Sequence, residues 1–152
     1  DEFLSELDGR PTFLLGNSKL MTKIKAVARR AGYLTQSEDA FGRKVDAYDS
    51  IPLVDLEYYV DENKATIPTV PIVDTRKPDG TNTVTGLTDL YAVRLGLDGF
   101  HGATVTGNKI IKTYLPDFKQ PGAVKKGEVE MVGAVVLKAT RAAGVLRNIK
   151  VK

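Results

Sequence analysis

The chain has 152 residues, 42% of them hydrophobic, with 22 basic and 19 acidic side chains, one histidine and no cysteine. That length fits one domain, or one domain plus a piece of a neighbour, and the hydrophobic share is enough for a core and too high for a disordered chain. The composition excludes disulfides, thiolate nucleophiles and cysteine-based zinc sites, and leaves His101 alone for any histidine chemistry.

No apolar run approaches the roughly 18 residues of a membrane span, and no charged-then-apolar leader is visible, so neither a membrane partner nor a signal peptide is expected. The net charge of +3 hides strong segregation. Asp1, Glu2, Glu6 and Asp8 open the chain without a base, and Lys19, Lys23, Lys25, Arg29 and Arg30 follow without an acid. Acids dominate from Glu38 to Asp74, and Lys138, Arg141, Arg147, Lys150 and Lys152 make the end basic. Such blocks suit nucleic acid, or complementary patches between copies of one protein.

In chain order, Asp1 to Leu7 reads as the end of a helix, closed by Asp8-Gly9 and Pro11. Thr12 to Leu15 is a short apolar run between Pro11 and Gly16, which predicts a buried strand. Asn17 or Ser18 offers a helix cap, and Leu20, Met21, Ile24, Val27, Ala28 and Ala31 recur at three- and four-residue steps. A helix over 18–31 follows, with Gly32 as its stop and its bases facing outward.

The period then changes. Residues 43–48 alternate, Asp49-Ser50 turns, and Ile51 to Val54 restarts the apolar pattern, a strand pair with Pro52 near a strand start or on an edge. Residues 60–86 read as the long loop of the molecule, with three prolines and the Asp79-Gly80 turn. Leu87 to Leu95 is a strand, and Asp98-Gly99 makes a hairpin turn into Phe100–Val105. Lys109 to Leu115 is another strand, ended by Pro116. Glu128 to Ala139 reads as one strand of about 40 Å, with Val129, Met131, Val135 and Leu137 on one face. Val145 to Val151 is expected to return as its partner. The class is α+β with few helices.

Residues that could carry chemistry do not assemble into a site. Gly102 to Lys109 has two glycines at the interval of a phosphate loop, but Asn108 precedes the lysine, Ile110 replaces the required hydroxyl, and a strand rather than a helix follows. A catalytic His101 would need an orienting carboxylate and a nucleophile, and the sequence does not bring them together. Glu128 and Glu130 project from one face of a strand, which suits acid–base chemistry but more commonly a solvated or subunit-facing edge. The basic helix could contact phosphates, which gives the alternative reading of a nucleic-acid-binding module using residues 18–31, yet no aromatic residues interleave with its bases. No enzyme, metal or cofactor is expected.

Two segments together carry a resemblance. The first is Phe13-Leu-Leu-Gly-Asn-Ser-Lys-Leu-Met-Thr-Lys-Ile24 with Phe41-Gly-Arg-Lys-Val-Asp-Ala-Tyr-Asp-Ser-Ile-Pro52 after it. The second is Thr88-Asp-Leu-Tyr-Ala-Val-Arg-Leu-Gly96 with Gly99-Phe-His-Gly102, and the ending from Met131 to Ile149 joins them. In order and spacing these resemble the major capsid proteins of tailed bacteriophages. The resemblance implies the Hong Kong 97-type fold, with residues 1–118 mainly axial domain and 119–152 peripheral-domain strands. It implies a structural subunit of a phage or prophage shell, forming pentamers and hexamers with copies of itself, assembled in the bacterial cytoplasm and located in the virion. Scaffold and portal proteins are implied as further partners, and packaged DNA only indirectly. The family's amino-terminal arm, extended loop and spine helix have no match here, so the chain reads as the carboxyl-terminal part of a longer protein. The candidate subunit-interface residues are Lys19, Lys23, Arg29 and Arg30 on the helix, and Glu38, Asp39, Glu57, Asp61 and Glu62 in the acidic stretch.

Overall fold

Apolar residues alternating with polar ones, cut by glycine and proline, build mostly strands. The computed structural model describes residues 2–38, 42, 44–105, 109–116, 118–119 and 121–152. In chain order the elements are α1 (Glu2–Ser5), β1 (Phe13–Gly16), α2 (Ser18–Arg30), β2 (Leu34–Glu38), β3 (Lys44–Tyr48), β4 (Ile51–Asp55), β5 (Tyr58–Val60) and β6 (Thr66–Pro68). They continue with β7 (Leu87–Val93), β8 (Phe100–Thr104), β9 (Ile111–Tyr114), β10 (Glu128–Met131), β11 (Gly133–Leu137), a 3-10 turn (Thr140–Ala142) and β12 (Ala143–Lys150). The α+β class with few helices is what the sequence pattern predicts.

Six strands form the main sheet in the order β12-β7-β1-β4-β3-β2. Only β1 and β4 run parallel, because α2 and the β2–β3 hairpin carry the chain across between them. Leu53, Leu14, Ala92 and Gly144 stand side by side across four strands and therefore share one face. Onto that face α2 lays Leu20 and Met21, and the buried cluster is completed by Ile51, Leu90 and Val151, with Phe3, Leu4, Leu7 and Ile24 packed against it. Two glycines admit the helical segments. A Cβ at Gly16 would come within 2.8 Å of the Met21 methyl, and one at Gly144 within 2.7 Å of Leu7 and 3.2 Å of Phe3. The row Val54, Leu15, Tyr91 and Val145 lies on the opposite face.

Helix α2 begins and ends as its sequence asks. Asn17 is extended at the N-cap, and its Oδ1 accepts from the Leu20 N–H at 2.9 Å. The end is a Schellman closure, in which Gly32 at φ 75° sends its N–H to the Arg29 carbonyl and Tyr33 reaches the Ala28 carbonyl. The Asn17 amide does more than cap. It donates to Thr88 Oγ1 at 2.6 Å and to the Val70 carbonyl at 3.2 Å, and Thr88 in turn donates to the Pro71 carbonyl. One buried side chain thus joins α2, β7 and the long loop.

Several expectations are corrected by the strand pairing. Residues 128–139 are not one strand paired with 145–151: β10 pairs with β9, β11 with β8, and β12 joins β7 at the edge of the main sheet. The pairing also runs across residues 118 and 119, with β8 bound to β11, β9 to β10, and β12 in the six-stranded sheet. The Asp98-Gly99 turn exists, with Gly99 N–H bonded to the Gly96 carbonyl, but β8 pairs with β11 instead of folding back on β7. The loop expected over 60–86 starts later, because β5 and β6 form a hairpin at its head. Strand β2 lies in a polar stretch without alternation, and it is an edge strand, where packing asks little of the sequence.

Asn17→Ala removes the cap and leaves buried partners on Thr88 and Val70 unmatched. It is expected to lower the unfolding free energy by about 2–4 kcal/mol, read as a urea midpoint shift. Asn17→Asp, which keeps the cap but loses both donors, should fall between; an unchanged midpoint for both variants would show that the amide does not tie these segments.

Candidate self-association surfaces

The outer face of α2 follows from its 3.6-residue period. With Leu20, Met21 and Ala28 buried, Lys19, Lys23, Ala26 and Arg30 lie on the outermost stripe within an arc of about 60°, flanked by Thr22 and Arg29 on one side and Val27 on the other. Lys25 is different. Its Nζ sits 3.0 Å from Asp46 on β3, and this hydrogen bond, helped by one from Gln36, holds the Asp46 carboxyl below its ordinary range. Lys19, Lys23, Arg29 and Arg30 make no salt bridge among the described residues and are all exposed.

The predicted acidic residues are scattered along an extended surface. Glu38 ends β2 opposite Lys44. Glu57, in the left-handed region at φ 48°, enters the β5–β6 hairpin. Asp61 organises that hairpin's turn by accepting the N–H groups of Asn63 and Ala65, and Glu62 is exposed beside it. Asp39 lies outside the described residues. The structure brings Glu57, Asp61 and Glu62 together on one hairpin and leaves Glu38 in another sheet.

Sequence reasoning did not place the ribbon β8–β11 and β9–β10 among the candidate surfaces, although it grouped the apolar residues concerned. Val129 stands opposite Thr113 and Met131 opposite Ile111, while Val135 faces Gly102 across the next pair. Val129 is 72% and Val135 69% exposed, and Met131 and Ile111 are exposed as well. Met131, Gly133 and Val135 line an open trough of about 630 Å³ whose floor is kept low by Gly102. Two-stranded ribbons are marginal in water, and contiguous exposed apolar faces mark contact sites.

Residues weighed for catalysis stay apart. His101 is half-buried on β8 opposite Val136. Glu128 and Glu130 are exposed on β10 opposite Tyr114 and Lys112. Lys109 leads into strand β9, as the sequence predicts. Among the described residues no group of three acidic or histidine side chains could hold a metal ion, and no helix is long and apolar enough to cross a membrane.

One polar constellation is well built and serves the fold. Asp89, buried on β7, forms a two-pronged ion pair with Arg76 of the long loop, Nη2 to Oδ2 at 2.7 Å with the second prong between Nη1 and Oδ1. At the β12 bulge the N–H of Asn148, at φ 62°, approaches Asp89 Oδ1 at 3.4 Å. The Arg76 hydrogen bonds hold the Asp89 carboxyl below its ordinary range against the opposing effect of burial.

No protein-family model matches the chain, and no curated protein is significantly similar to it. Among solved structures it is similar to the holo-SrpI encapsulin complex of Synechococcus elongatus PCC 7942, determined by cryo-electron microscopy, with a TM-score of 0.65 and 18% identity. The match covers 99% of this chain and 48% of that one, so the chain spans about half the length of the solved protein. The chain has a Hong Kong 97-like fold.

Because Asp89 is held ionised in the fold, its contribution to stability is complete above the unfolded carboxylate range and is lost as pH falls below about 4 through the lowered folded value. Asp89→Asn should cost about 3 kcal/mol at neutral pH and flatten the acid limb of a stability–pH curve. An acid limb identical to wild type would show that the pair does not carry it.

Proposed function

We propose that this chain is part of a shell subunit, working by association with copies of itself and not by catalysis. The observation that carries this is the ribbon, whose apolar side chains Ile111, Val129, Met131 and Val135 lie open to solvent at a cost that only a covering surface relieves. The similarity of fold to an encapsulin complex supports it. The six-stranded sheet with its helices then corresponds to the axial part of a capsid subunit, and the ribbon to the peripheral part. A tailed-phage or prophage shell, assembled in the bacterial cytoplasm, is the specific setting favoured by the motifs Phe13–Ile24 and Phe41–Pro52.

In a closed ring each copy offers one surface to one neighbour and a different surface to the next. The segregation of bases on α2 from acids between Glu38 and Glu62 suits such a heterologous contact, and opposed charge sets register more than affinity. Lys19, Lys23, Arg29, Arg30, Glu38, Asp39, Glu57, Asp61 and Glu62 are the proposed contact residues. The exposed bases on α2 also favour a second reading, a nucleic-acid-binding face, which requires duplex-DNA affinity that falls steeply with salt.

Light scattering and electron microscopy of the full-length subunit that carries this chain test the first reading: closed particles are expected, and monomers at every concentration and salt would overturn it. Val129→Lys combined with Val135→Lys should abolish particles while changing the unfolding free energy by no more than about 0.5 kcal/mol. Particles forming normally in that variant would remove the ribbon from the contact.

A further inference from the structure

The β5–β6 hairpin is separate from the main sheet and has little reason to look as it does in an isolated chain. All three residues of β5, Tyr58, Tyr59 and Val60, are exposed, so aromatic rings project from both faces of a two-stranded hairpin. Its base carries Glu57 and its tip Asp61 and Glu62, against the single base Lys64. The result is a small knob, apolar in the middle and acidic at both ends.

The outer face of α2 has the converse pattern. Ala26 and the 64% exposed Val27 make an apolar floor in mid-helix, where an isolated helix would place polar residues. Lys19 and Lys23 lie on one side of that floor along the axis, and Arg29 and Arg30 on the other. Among the described residues no salt bridge joins these four bases, or Glu57, Asp61 and Glu62, to any partner, although Arg29 lies near enough to Asp46 to add to the lowering of its carboxyl pKa. An acid–apolar–acid knob therefore matches a base–apolar–base face in both charge and order.

We propose that the β5–β6 hairpin of one copy seats through its open β5 edge on the outer face of α2 of the next, with the Tyr58 and Tyr59 rings straddling Ala26 and Val27 from the hairpin's two faces and the hairpin acids among the four bases. This rests on the shell reading and names its contact. The rings supply burial and lie within reach of lysine and arginine cations, which aromatic faces attract, so the contact gains from more than surface ion pairs, which alone contribute little. The two surfaces differ, so the contact is heterologous and leaves the helix of one copy and the knob of the other free for the next neighbours, as ring closure requires.

The absence of cysteine makes a direct test clean. Tyr59→Cys and Lys23→Cys variants, both at exposed sites, are mixed before assembly and oxidised. The expected result is a 59–23 disulfide between copies in about tenfold excess over either homodimer, weakened by raised salt, with Thr81→Cys in place of Tyr59→Cys giving none. Particles that lack the 59–23 bond, or form it no more often than the Thr81 control, overturn this contact and leave the shell reading standing. Monomers without the bond overturn both. Duplex DNA bound by wild type with loss of the bond would also overturn it, because α2 would then face nucleic acid.

Discussion

The buried amide of Asn17 is the interaction on which the arrangement turns. Its oxygen starts α2 and its nitrogen holds β7 through Thr88 and the long loop through Val70. A polar group this buried is tolerated only when its donors and acceptor are matched. The three segments it joins are far apart in sequence, so the register of α2 on the sheet, and with it the direction of the helix's outer face, is set by one residue. Gly16, immediately before it, lets Leu20 and Met21 close over β1. The Arg76–Asp89 pair repeats the logic on the other side of β7, where it fastens the same loop and the β12 bulge.

With the helix so fixed, charges matched inside the chain stand beside charges left to solvent. Lys25 is matched by Asp46 inside the chain, while its neighbours Lys19, Lys23, Arg29 and Arg30 are left to solvent. The ribbon keeps its backbone paired but leaves apolar side chains bare. On the proposed reading these bare apolar side chains are where other copies make contact.

Local chemistry made much of this legible in the sequence. The period of Leu20, Met21, Ile24 and Ala28 with the Asn17 cap and Gly32 stop defined α2 to within a residue. Alternation and the Asp49-Ser50 turn defined β3 and β4, where both turn residues take positive φ as a tight hairpin requires. What stayed hidden was pairing between distant strands. Nothing in Val145–Val151 says that β7 rather than β11 is its partner, because both neighbours offer the same β-forming residues. Strand β2 was invisible because an edge strand of Thr, Gln and Ser buries too little to leave a pattern. Among the candidate contact residues, sequence grouped charges by block, and only the fold showed that Glu57, Asp61 and Glu62 share one hairpin with two exposed tyrosines.

The central claim is that this protein's function resides on surfaces that meet other copies. Hydrogen exchange compared between assembled and dissociated protein tests it most directly. The account predicts that amides of Tyr58–Pro68 and of the ribbon strands β8, β9, β10 and β11 slow markedly on assembly, while those of β1, β4 and β7, already enclosed, change little. Equal exchange in both states along the hairpin and the ribbon would contradict it.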